Sequence, residues 1–449
     1  MRTIAIDCGA SFIKTAYFDN DVEVPQEVQS YATSSPGELE LLDARDAELP
    51  IQLRRTVTMI RKALLGYSRP GEELQLGICN EMHGFVITDE EGKPITDYVS
   101  WQMEYSRERY SKNITWGEHY IEILDKQDIT YTGMPLKPGL PSTNLPYILK
   151  HNKEQCCSGT IYFYTLGDFV IHWLANQQIC MHPTNAAATG LYNLMNNNWN
   201  SNLLSSLGLE HVCFPVISDN AVITFVWRER TIYVKPAIGD QQAALRGADL
   251  CKKQQLSINM GTGGQVGRLT DTLLFSEQYQ IRPYFNDMYL MTVPHIPSGR
   301  ALNVYIRFVQ QIAEEFAGHP ISNDQIWKWI FREMECVDQD EGLMNIDLSF
   351  FANAITKNEK GSITGIEENS LKIGNLFQSI FLQMAKNIKE CAQRINNGCV
   401  VEELVFSGGI VRRNNILREM IQAFYPQADI QIAANETLIG IYRYVRSDV

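Results

Sequence analysis

No run of residues approaches the length of a membrane span, and no low-complexity block interrupts the chain. Basic residues are in deficit. Lys and Arg number 39 against 52 Asp and Glu, a formal charge of −13, which speaks against non-specific nucleic-acid binding without excluding a local basic patch. The ten cysteines lack metal-site spacing. Cys156 and Cys157 are adjacent and cannot easily bridge each other, while Cys8, Cys79 and Cys251 fall in or beside apolar segments. Buried reduced thiols, a cytoplasmic location and no membrane association are therefore expected. Met1-Arg2 runs directly into an apolar strand, so no signal peptide is expected. The remaining composition, 45% apolar and 20% charged over 449 residues, is that of a globular chain long enough for two domains.

Two distant stretches read almost alike. Residues 4–14 and 256–266 each run as a short apolar strand, then Asp7 or Asn259, one further residue, Gly9 or Gly261, and small or hydroxyl-bearing residues. Small residues there let backbone N–H groups approach an anion, and hydroxyls add donors. Two such hairpins, each opening one half of the chain, point to a duplicated domain that grips one polyphosphate from both sides.

The remaining pattern alternates strands with helices. The spacing predicts a helix over 51–66, a strand over 74–78, a hairpin over 85–99, and a proline-broken loop over 136–149. A strand passes into a helix over 159–175, and a strand, a Gly239-Asp240 turn and a helix start fill 231–247. The second half repeats the layout, with a hairpin at 256–270, strands near 287–293, and helices near 301–317, 370–395 and 414–424. The fold expected is α/β in two domains, 1–247 and 248–449, flanking a cleft.

Each candidate motif has a bland reading beside the functional one. Asp7-Cys8-Gly9-Ala10-Ser11 up to Lys14 can be a plain β-turn. Three glycines in the four residues 261–264 are harder to explain without a ligand close to the main chain, because they cost backbone entropy. Asp240 can be a helix N-cap, a general base accepting a proton from a substrate hydroxyl, or both. Ser407-Gly408-Gly409 after an apolar strand can be a tight turn or the floor of a nucleotide site. His83 and Trp101 can be packing residues, or, with Met82, one edge of a polyol pocket.

In this order the motifs resemble the FGGY-type carbohydrate kinases, within the larger actin, hexokinase and Hsp70 ATPase (ribonuclease H-like) fold. Residues 4–19 resemble that family's first phosphate loop and 82–84 its sugar-contacting turn. Trp101 falls at its substrate tryptophan, 239–244 at its catalytic-base segment, 259–264 at its second phosphate loop, 407–414 at its adenosine motif, and 436–440 at the start of its closing helix. The resemblance implies an ATP- and Mg²⁺-dependent kinase acting on a free sugar, with Asp240 as base. Glu81, Met82, His83, Trp101 and Gln102 would contact the sugar. Gly9, Ser11, Lys14, Gly261, Thr262, Gly263, Gly264, Gly408, Gly409 and Arg412 would hold the nucleotide, with Asp7 at the metal.

Met82-His83-Gly84 is similar to xylulose- and sedoheptulose-type kinases and unlike glycerol kinases. Arg282-Pro283-Tyr284-Phe285 looks more like the sedoheptulose branch. The family's usual Gln before Met-His-Gly is Glu81 here, Met103-Glu104-Tyr105 departs from its pattern after the tryptophan, and 296–300 replaces a glycine-rich run. These departures are expected to leave the ATP machinery intact and to alter the sugar. A neutral ketose or polyol is expected, sedoheptulose slightly ahead of xylulose. Homodimerisation stays open. The rivals are a non-catalytic sugar or nucleotide sensor, against which the retained Asp240 argues, and a chaperone- or actin-like ATPase, which would lack Met-His-Gly and Trp101.

Overall fold

A buried parallel strand needs apolar residues on both faces, and Arg2–Cys8 (β1) supplies them: every residue after Arg2 is buried. Its hairpin partner Phe12–Phe18 (β2) alternates, and Gln26–Ala32 (β3), largely exposed, forms the edge. This computed structural model describes residues 1–20, 22–34, 40–152, 159–337, 342–356 and 358–447, so Cys156 and Cys157 lie outside the described residues.

The chain divides into two compact units. The first comprises 1–249, 271–289 and 435–449, and the second 250–270 and 290–434. A single cut at 247/248 makes no provision for the two later segments of the first unit. In that unit follow α1 (Ile51–Tyr67), β4 (Glu73–Asn80), α2 (Pro141–His151), α3 (Leu166–Ala175), α4 (Pro183–Ala188), β5 (Ile223–Trp227), β6 (Arg230–Val234), β7 (Ile238–Gly239) and α5 (Asp240–Gly247). The sheet order is β3-β2-β1-β4-β6-β5, with β7 also on β4, and β4 runs parallel to both β1 and β6. Leu53, Val57, Ile60 and Leu64 of α1 form the helical stripe read from the sequence, all fully buried.

The second unit contains β8 (Gln255–Met260), β9 (Gly264–Thr270), β10 (Tyr289–Ile296), α6 (Gly299–Ala317), α7 (Ile373–Arg394), β11 (Glu403–Ser407), α8 (Gly409–Arg413), α9 (Asn415–Gln422) and β12 (Asp429–Ile432). Its strands run β10-β9-β8-β11-β12, with β8, β11 and β12 parallel and β9 antiparallel to β8. Hairpin, third strand and parallel neighbours therefore recur as in β3-β2-β1-β4-β6, which is the duplication that the two similar stretches implied. The last helix, α10 (Glu436–Arg446), belongs to the first unit.

Four expectations change. The proline-rich loop ends by Leu140, because Pro141 sits at the first turn of α2, where its missing N–H costs nothing, and Pro146 lies inside that helix. The segment 85–99 does fold back antiparallel, bridging Phe85 to Val99 and Thr88 to Pro94, but only Val86–Thr88 of it is a continuous strand. Residues 409–413 form a separate short helix before α9. The expectation of buried thiols holds for Cys8, Cys79 and Cys391 and fails for Cys213, Cys336 and Cys251, which are exposed, the last on the loop before β8.

Candidate active site

Two strand ends of the first unit are fastened together by side chains that the sequence reading did not single out. Asn80, the last residue of β4, accepts hydrogen bonds at Oδ1 from Gly167 N (3.2 Å) and Asn185 Nδ2 (3.0 Å). Asn185 Nδ2 also donates to the carbonyl of Ala237 (2.9 Å), and Gly239 N–H donates to Thr184 Oγ1 (3.1 Å). Asn185 and Thr184 are fully buried. A polar pair inside the apolar stretch 179–191 was the only hint of them, and buried amides persist where they are hydrogen-bonded. Their effect is to tie the turn after β4 to the start of α5.

Asp240 stands at that start. Gly239 is the N-cap and Asp240 the first helical residue, which corrects the reading of Asp240 as the cap. Its carboxylate accepts the Gln241 N–H at 2.7 Å. Burial above all, and then the Asp7 carboxylate, push its pKa up to about 7; the Gln241 bond opposes this, Glu81 adds to it, and Arg282 opposes it. A carboxylate poised near neutrality in this way can accept a proton from an alcohol during transfer.

Beyond Asn80 the chain turns through Glu81, Met82 and His83. Glu81 is 6% exposed; Oε1 accepts a hydrogen bond from Tyr98 Oη at 2.7 Å, and Oε2 has no partner among the described residues. Burial raises its pKa against the opposing pull of Tyr98 and of the Trp101 side chain. Met82 is buried, its Sδ accepting from Arg282 Nη1 at 3.1 Å. His83 adopts a left-handed φ of 70°, with Nδ1 2.6 Å from the Ala188 carbonyl. Trp101 is 46% exposed, and Gln102 beside it is exposed in the same turn, with no side-chain contact to the other candidate residues among the described residues.

Asp7, the penultimate residue of β1, is 6% exposed, its Oδ1 3.4 Å from Cys79 Sγ and its Oδ2 3.7 Å from Lys14 Nζ. Burial raises its pKa, with Lys14 the main opposing influence. Gly9 N–H donates to the Phe12 carbonyl at 3.1 Å, closing the turn that exposes Ser11. Among the described residues no cluster of three metal-ligating side chains exists. The donor set therefore fits a single carboxylate contacting a Mg²⁺ ion through water, as that ion prefers, and does not fit a closed protein cage.

In the second unit the two glycine turns lie at the same end of adjacent parallel strands. Asn259 is paired with Ser407, and Asn259 Nδ2 donates to Ser407 Oγ at 2.9 Å. Gly408 has φ +88°, and a Cβ there would lie 2.6 Å from Met260 backbone atoms, so only glycine fits. Cβ atoms at Gly261, Gly263 or Gly409 would meet nothing within 4 Å, leaving open space above the main chain. Arg412 is exposed on α8. Thr262, between the glycines, accepts the Arg300 N–H at its carbonyl (2.8 Å), and Gly299 N–H donates to the Gly261 carbonyl (3.0 Å). Segment 296–300 thus buttresses the second loop, which corrects the expectation that departures there bear on the sugar alone.

Residues 2–239 match the N-terminal domain of the FGGY family of carbohydrate kinases. The chain belongs to that family. Among curated relatives, glycerol kinase from Lactobacillus acidophilus is 24% identical over 277 residues, 59% of this chain and 53% of that protein. Glycerol kinase from Shewanella halifaxensis is 27% identical over 274 residues, 58% of this chain and 53% of that protein. The aligned part spans about half the length of these relatives. Solved structures share the fold along nearly the whole chain: a xylulose kinase from Lactobacillus acidophilus (TM-score 0.79, 15% identity, 99% of this chain and 89% of that one) and a gluconate kinase from the same species (0.79, 14%, 100% and 89%). The Plasmodium falciparum glycerol kinase solved with ADP gives 0.74 at 17% identity, over 99% and 88%. The α/β fold in two units is that of these FGGY kinases. Among the described residues no helix is long and apolar enough to cross a membrane.

Proposed function

We propose that this FGGY family member transfers the γ-phosphoryl group of ATP to a hydroxyl of a free sugar or polyol, with Asp240 as the general base. The observation that carries the reading is the position and acidity of Asp240: first residue of α5, tied through Gly239 and Asn185 to the turn bearing Glu81 and Met82, with a pKa near 7. In this reading the glycine turns 261–264 and 408–409, with Gly9, Ser11, Lys14 and Arg412, would hold the nucleotide, and Asp7 would be the residue that holds its Mg²⁺. The ion neutralises phosphate charge; the protein positions the acceptor hydroxyl and takes its proton. Catalysis of this kind demands that water, a rival acceptor, be kept out.

The acceptor proposed is a ketose or polyol, sedoheptulose- or xylulose-like, and the location cytoplasmic. Glu81 supports a hydroxyl-rich molecule, because its buried Oε2, which has no hydrogen-bond partner among the described residues, can accept from a sugar O–H. The named relatives widen the trial set to glycerol and gluconate. The test is ADP release with Mg²⁺ across sedoheptulose, xylulose, ribulose, glycerol, gluconate and xylulose 5-phosphate. Sugar-stimulated ADP release is expected with a free sugar. Release with no acceptor, or with the phosphorylated sugar alone, sinks the reading.

A further inference from the structure

Arg282 is a buried cation for which the proposed transfer has assigned no part. It lies in the short strand Gln280–Pro283 and is 5% exposed. Nη1 donates both to Met82 Sδ (3.1 Å) and to Gln241 Oε1 (2.9 Å), and Nη2 donates to Gln280 Oε1 (2.6 Å). Nε has no partner among the described residues. None of the three acceptors carries a charge, and among the described residues the guanidinium is balanced at longer range by Asp240. Lys137 lies near enough for the two cations to repel.

Burying a guanidinium against neutral acceptors, with one N–H unsatisfied, is a poor way to stabilise a fold, and apolar residues of similar volume commonly do as well or better. The arrangement makes sense for position. The rigid planar fork of arginine presents its donors at fixed angles, which a flexible ammonium cannot do. One nitrogen here meets both the turn that carries the acceptor contacts and the residue next to Asp240.

We propose that Arg282 is a positioning residue for phosphoryl transfer: by bonding Met82 and Gln241 together it holds the acceptor turn in register with the base helix. The proposal rests on the reading of Asp240 as the base. Displacing a reacting group by about 1 Å can cost about 10²-fold in rate, and losing this tether has that consequence.

The experiment compares Arg282→Met, Arg282→Lys, Gln241→Ala and Asp240→Asn in the full chain, with ATP, Mg²⁺ and whichever acceptor of the trial set the wild type turns over fastest. Arg282→Met is expected to lower kcat about 10²-fold, leave KM for ATP unaltered and keep the melting temperature. Arg282→Lys recovers part of the rate by restoring charge without the fork, and Gln241→Ala, which removes one arm only, loses about tenfold. A wild-type kcat in Arg282→Met overturns the proposal, as does a parallel loss of kcat and of ATP binding. Should Arg282→Met not fold, Gln241→Ala decides: an unchanged kcat there overturns the tether. A wild type inactive on every acceptor instead removes the reading of Asp240, and the role of Arg282 with it. An active wild type, a dead Asp240→Asn and a normal Arg282→Met remove the role of Arg282 alone.

Discussion

At Asp240, neutralising the carboxylate separates chemistry from stability. Asp240→Asn keeps the size and removes the proton acceptor, so turnover is expected to fall about 10²- to 10⁴-fold while ATP binding holds; single-turnover rates beside calorimetry check this, and a near wild-type rate excludes the role. The pH profile follows from the sign of the shift. A base must be unprotonated to act, so kcat/KM for the acceptor rises with pH through about 7. Stability runs the other way. The folded-state pKa lies above the unfolded one, so between about pH 4 and 7 the native state binds more protons than the unfolded chain, and stability falls as pH rises. Asp240→Asn escapes that loss. It should melt higher than wild type at pH 8, with the difference vanishing near pH 4; melts at both values test the sign. Glu81 makes a separate case. Glu81→Gln leaves Tyr98 its acceptor and changes only what the second oxygen position offers, so competition assays should show the order of preferred sugars shifting more than ATP affinity.

Glycines divide into two kinds at the level of elements. Gly247 on α5 and Gly440 on α10 stand where those helices touch: a Cβ at Gly440 would lie 1.8 Å from the Ala243 carbonyl oxygen, and one at Gly247 would lie 1.7 Å from the Glu436 carbonyl oxygen. Gly440→Ala must therefore push the helices apart, with an expected loss of about 1–3 kcal/mol, read as a lowered melting temperature, and a lowered kcat because α5 carries Asp240. Gly263 is the opposite case. A side chain there meets open space, so Gly263→Val should fold normally yet bind ATP more weakly. Unchanged ATP affinity by calorimetry would reduce the 261–264 loop to a plain turn.

The whole molecule supplies a ligand test that needs no knowledge of the sugar. A nucleotide that binds only the folded chain stabilises it by about 2.7 kcal/mol at a hundred times its Kd. ATP with Mg²⁺ should raise the melting temperature of the wild type, of Asp240→Asn and of Arg282→Met, and should raise that of Gly263→Val less. A wild type insensitive to ATP would contradict the nucleotide assignment in the second unit.

Local pattern was enough for the repeated strand–turn–strand openings, for the stripe of α1 and for Gly239-Asp240 between a strand and a helix, because each is written in the periodicity and turn chemistry of neighbouring residues. Pattern also located Asp7, Glu81 and Met82 at strand ends, where α/β sheets keep their functional side chains. It could not raise the pKa of Asp240, since that depends on burial and on Asp7, far away in the chain. Nor could it find Asn185, which ties β4 to Ala237 just before β7, or the tether from Arg282 to Met82, whose partners are 200 residues apart. The limit at Pro141 and 296–300 was different: proline reads as a breaker unless the helix start is known, and a substituted run reads as specificity unless its contact with Gly261 and Thr262 is seen. Hydrogen-bond partners and desolvation are set by which strands lie side by side, and only the folded chain decides that.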